Sequence, residues 1–126
     1  MSLAEPPDLV ICTTCRAGLP IVQGEPPLGE MLHTTLARAI TDSDASVRLR
    51  SVGCLANCAR GCSGVITMPG KWTYLLGFLA PALAGDLITY AATYAASANG
   101  AVLPSQRPAS LRNVVIGRVP PMEFTS

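Results

Sequence analysis

The chain has 126 residues, 49% of them apolar and only 13% charged, with a formal net charge of +1. That balance excludes an electrostatic nucleic-acid binder: the lone lysine is Lys71, and the arginines are scattered. The length suits one domain spanning 1–126 with a core of its own, and the surplus of apolar residues leads us to expect a homodimer.

Asp8 to Ile11 is a short β-branched run that predicts a buried strand leading directly into Cys12. Residues Arg16 to Pro27, rich in proline and glycine, predict a loop, with Pro26-Pro27 opening a helix. Leu28, Leu32, Leu36 and Ile40 recur every four residues, with Met31 and Ala39 beside them, which predicts an amphipathic helix over 28–40. Thr41-Asp42-Ser43-Asp44 supplies turn chemistry to end it. Val47 to Val52 then alternates apolar and polar residues, as a half-exposed strand does.

Val65 to Met68 and Trp72 to Leu76 flank Pro69-Gly70 and read as a β-hairpin. The stretch from Trp72 to Ala98 is the most membrane-like, but Pro81, Gly85 and Asp86 interrupt it. It therefore reads as a buried strand followed by a packed helix, and no membrane association is expected. Leu87, Tyr90, Ala91, Tyr94 and Ala95 share one face of that helix, and Asn99-Gly100 stops it. Residues 101–126, with Pro104, Pro108, Pro120 and Pro121, read as an extended C-terminal tail with one short strand at 113–119. The order strand, helix, strand, hairpin, helix is that of a small α/β sandwich with mixed strands.

All five cysteines fall in two clusters, Cys12-Thr13-Thr14-Cys15 and Cys54-x3-Cys58-x3-Cys62, with 38 residues between Cys15 and Cys54. Thiolates two or three positions apart can turn onto one centre, and two such clusters supply the four sulfurs that zinc or an iron–sulfur cluster requires. An odd count does not make a disulfide framework, and no basic-then-apolar leader precedes Cys12, so a reducing cytoplasm is the expected compartment. Gly53, Gly61 and Gly64 are expected to relieve crowding in a metal-wrapping loop. Cys62 is either an additional ligand or a small buried side chain.

Other functional residues are few. A C-x-x-C after a strand is also a dithiol oxidoreductase motif, which keeps Cys12 and Cys15 as alternative redox residues. His33, among Leu32, Thr34 and Thr35, reads as a surface or packing residue, and Trp72, Tyr74, Tyr90 and Tyr94 as core or interface aromatics. No carboxylate pair, Ser-His-Asp order, phosphate loop or dinucleotide fingerprint is present.

The strand running into Cys12, the C-x3-C of Cys54 and Cys58 followed by a hairpin around Pro69-Gly70, and Pro120-Pro121 together resemble the thioredoxin-like [2Fe–2S] ferredoxins. The sequence is similar, too, to a group of bacterial predicted metal-binding proteins sometimes encoded near cobalamin-biosynthesis or metal-handling genes. The resemblance implies a thioredoxin-like two-layer sandwich with a mixed four- to five-stranded sheet and two main helices. It implies one [2Fe–2S] cluster on Cys12, Cys15, Cys54 and Cys58, single-electron transfer without chemistry on a small substrate, and a redox protein or metal-handling enzyme as partner. Zinc is the alternative metal, in a delivery module. The chain departs from the family pattern in the short gap between Cys12 and Cys15 and in the extra Cys62.

Overall fold

The structure, a computed structural model, describes residues 6–14, 24–53, 62–102 and 104–121. Strand β1 (Asp8–Cys12) leads to helix α1 (Leu28–Ser43), strand β2 (Arg48–Val52), strands β3 (Cys62–Thr67) and β4 (Thr73–Leu79), helix α2 (Ala84–Ala96) and strand β5 (Val115–Val119). The strands form one sheet in the order β2-β1-β3-β4-β5, with β1 and β2 parallel and the other neighbours antiparallel. The fold is therefore α/β, a two-layer thioredoxin-like sandwich with a mixed five-stranded sheet and two main helices.

Register explains which face is covered. Leu9 lies opposite Ile66, which lies opposite Tyr74, and Ile11 lies opposite Gly64, which lies opposite Leu76. Strand alternation turns this row to one side, where all six residues are buried. Leu32 and Leu36 of α1, both fully buried, pack here with Leu87, Tyr90 and Tyr94 of α2. Removing each such leucine from water contributes about 1.5–3 kcal/mol. The alternate row, Val10, Val65 and Leu75, faces away from the helices and runs from half-buried to exposed.

Helix α1 begins after Pro27, as the Pro26-Pro27 pair predicts, but runs through Ser43 and not to Ile40. Its turn-forming residues are absorbed by hydrogen bonds one turn back, from Thr41 Oγ1 to the Ala37 carbonyl (3.0 Å) and from Ser43 Oγ to the Ala39 carbonyl (2.7 Å). The helix stops where Asp44 takes the left-handed conformation, φ 53°. Met31, grouped with the apolar stripe in the sequence, is 43% exposed.

The stretch read as one strand and one helix after Trp72 is β4 and α2, joined by a 3-10 turn at Pro81–Leu83. Strand β4 carries one extra residue: Cys62 lies opposite Leu79 but Gly64 lies opposite Leu76. Phe78 takes up the excess. At φ 57° it is left-handed and 56% exposed, and the offset returns Leu79 to the core at 2% exposure.

The C-terminal stretch read as an extended tail contributes more than a tail does. It holds 3-10 turns at Pro104–Gln106 and Ala109–Leu111, buries Val102, Leu111 and Val114, and adds β5 to the sheet edge. The strand expected at 113–119 is thus β5, over Val115–Val119. No helix among the described residues is long and apolar enough to cross a membrane.

Candidate metal centre

Parallel pairing gives β1 and β2 a common exit. Cys12, the last residue of β1, lies opposite Val52, the last of β2, and antiparallel β3 begins at the same end of the sheet with Cys62. The two cysteine clusters, 38 residues apart in the chain, are therefore attached to one end of one sheet.

Cys12 is 2% exposed and is not in a disulfide. Its Sγ lies 3.6 Å from the carbonyl oxygen of Gly53, to which the thiol donates, and 3.9 Å from Thr14 Oγ1. The next two residues reinforce the junction. The Thr13 backbone N–H donates to the Val52 carbonyl at 3.0 Å and its hydroxyl donates to the same oxygen at 3.3 Å. The Thr14 hydroxyl donates to the Gly53 carbonyl. Three consecutive residues, Cys12 to Thr14, are thus fastened to the two residues that immediately precede Cys54 in the sequence.

Cys62 sits differently. Sequence spacing places it at the end of a loop cluster, whereas the structure makes it the first residue of β3, fully buried and opposite Leu79. Alternation along β3 turns it to the side of Gly64 and Ile66, under the helices, while Cys12 continues the row of Asp8 and Val10 on the other side. Gly64, read as a loop glycine, is likewise a strand residue. A Cβ there would come within 2.9 Å of the Val10 carbonyl and 3.1 Å of Ile11 Cδ1, so close strand and side-chain approach requires glycine.

Cys15, Cys54 and Cys58, like Arg16, Arg60 and Gly61, lie outside the described residues. Among the described residues, no group of three or more His, Cys, Asp or Glu is placed to hold a metal. His33 is half-buried on α1, as a packing residue would be.

Trp72, Tyr74 and Tyr94 group at the opposite end of the sheet. Tyr74 and Tyr94 meet edge to face with centroids 6.1 Å apart, and Tyr94 Oη donates to the Trp72 carbonyl at 2.5 Å. Burial pushes the Tyr94 phenol up to about 12, against the lowering effect of a hydrogen bond with the Met68 backbone, and burial pushes that of Tyr90 further still. Trp72 is half-buried beneath the Arg118 guanidinium, 4.4 Å from its ring. These residues serve the core and its rim, as expected of them.

Sheet order and helix placement define a thioredoxin-like α/β protein with Cys12 and Cys62 at one sheet end. The chain belongs to the family described as "Protein of unknown function (DUF1636)", which matches residues 9–121. It is similar in fold to the solved structure of a thioredoxin-like [2Fe-2S] ferredoxin from Aquifex aeolicus, with a TM-score of 0.59 and 16% sequence identity. The similarity covers 96% of this chain and 100% of that one. No curated protein matches the sequence.

Proposed function

We propose that this protein is an electron carrier with one [2Fe–2S] cluster held by Cys12, Cys15, Cys54 and Cys58. The observation that carries the reading is the junction of Cys12 with Gly53. A thiol from the first cluster touches the backbone one residue before the second.

Covalent reach supports the rest. Cys15 follows Cys12 by three residues, Cys54 follows Val52 by two, and Cys58 precedes Cys62 by four. Extended chain spans at most about 3.6 Å per residue, so each thiol is tethered within roughly 7–14 Å of the same sheet end. Neighbouring strands about 4.8 Å apart set the starting separation of Cys12 and Val52. An all-sulfur donor set of this kind suits iron–sulfur clusters and zinc and is a poor match for hard cations. A bound [2Fe–2S] cluster supplies reversible one-electron transfer.

Cys62, buried on the helix side of β3, is the fifth thiol that this arrangement leaves as a core residue. A dithiol oxidoreductase needs an accessible thiolate. The 2% exposure of Cys12, and its place at the end of a strand, weigh against that chemistry. The partner we propose is a redox protein or a metal-handling enzyme.

Anaerobic purification tests the reading. The expected sample is red-brown, bleaches with dithionite and gives an electron paramagnetic resonance signal when reduced. A colourless sample with one zinc per chain would establish the metal-delivery alternative instead.

A further inference from the structure

The residues between the first two cysteines are both threonine, and both are engaged with the strand that leads to the second cluster. We propose that Thr13 and Thr14 are positioning residues for the metal centre, with Thr14 the decisive one. The inference rests on the metal-site reading above, whichever sulfur-ligated metal the site takes.

Redundancy separates the two threonines. The Cys12 thiol and the Thr14 hydroxyl both meet the Gly53 carbonyl oxygen, so the turn after β1 is tied to the residue bonded to Cys54. Among the described residues, the Thr14 tie is made by its side chain.

Thr13 holds the neighbouring carbonyl of Val52 by its backbone N–H as well as its hydroxyl. Loss of its hydroxyl leaves the main-chain bond in place. Thr14 is exposed, so replacing its hydroxyl with a methyl of similar volume disturbs no core packing. Hydrogen-bonding partners that orient metal ligands typically change metal affinity 10–100-fold when removed.

The test compares wild type with Thr14→Val, Thr14→Ser and Thr13→Val. Apoprotein is titrated anaerobically with Co2+, read by sulfur-to-cobalt charge-transfer absorption, and cluster-loaded protein is challenged with EDTA and followed by bleaching. Thr14→Val is expected to weaken Co2+ binding and speed cluster loss by about tenfold. Thr14→Ser should restore wild-type values, Thr13→Val should change them less than threefold, and apoprotein melting temperatures should agree throughout. Equal affinities for Thr14→Val and wild type would overturn the inference while the metal-site reading stands. So would a melting temperature of apo Thr14→Val lowered enough to account for the loss. A wild-type protein that takes up neither Co2+ nor a cluster would instead overturn the metal-site reading.

Discussion

The two ends of the sheet are closed by different means. At the hairpin end, Tyr94 Oη bonds the Trp72 carbonyl, the Trp72 N–H bonds the Asn99 carbonyl at 2.9 Å, and Tyr74 stacks edge-on against Tyr94. Buried aromatic area and hydrogen bonds within the chain hold this end. At the cysteine end the described links are short-range polar ties from Cys12, Thr13 and Thr14 to two carbonyls. One end is finished by packing, and the other presents thiol chemistry on a packed support.

Emptying the hairpin end should have the largest effect. Tyr94→Ala removes a fully buried ring and is expected to cost about 3–5 kcal/mol in urea unfolding, far more than Thr14→Val costs the apoprotein. Comparable midpoints for the two variants would erase the contrast between the ends.

Alkaline pH acts on the buried phenols of α2, one of them at this end. Tyr90 and Tyr94 ionise in the folded protein above the usual value of about 10, whereas both ionise near 10 once unfolded. Their stability is thus fully present below pH 10 and declines as pH rises from there toward about 12, the Tyr94 value. The slope should approach about 1.4 kcal/mol per pH unit for each tyrosine. Urea midpoints from pH 8 to 11.5 check this, and tyrosinate absorbance near pH 10 in a still-folded Tyr74→Phe variant, whose only tyrosines are Tyr90 and Tyr94, would contradict it.

Gly100→Ala sharpens the comparison further. Gly100 has φ 81°, and a Cβ there would stand 2.7 Å from Tyr94 Cε1 and 3.0 Å from Lys71 Cβ. We expect a loss of about 1–3 kcal/mol in thermal or urea unfolding. Phe78→Gly, nearer the cysteine end, should change stability by less than about 1 kcal/mol. Relief of a left-handed backbone, about 1–2 kcal/mol, offsets the added chain entropy and the partial loss of ring burial. A melting-temperature drop like that of Gly100→Ala would show that the ring contributes more than its exposure suggests.

Much of this architecture was readable residue by residue. The four-residue spacing from Leu28 to Ile40 marks α1, and Arg48 and Arg50 mark the solvent side of β2, where both are exposed. Pro69-Gly70 marks the β3–β4 turn, with Gly70 at φ 76°. What escaped reading has local causes. Nothing in Thr41 to Ser43 shows that their hydroxyls will bond back into the helix. The β4 run Thr-Tyr-Leu-Leu-Gly-Phe-Leu lacks polar alternation, so neither its bulge nor the outward Phe78 is visible in it. Spacing groups Cys62 with the loop thiols, although the apolar run that follows it already belongs to the strand it begins. The Thr13 and Thr14 ties depend on β1–β2 register, which a parallel pairing across more than 35 residues leaves unspecified.

Lys71 carries a last consequence. Helix α2 has no basic residue in its last turn, and the Lys71 ammonium, reaching in from the hairpin, donates to the Ala95 carbonyl at 2.6 Å. It is the chain's sole lysine. Amine-directed dyes, resins and crosslinkers therefore have one side-chain target, and acylating it strips α2 of its cationic stopper, so probes for this protein are better attached elsewhere.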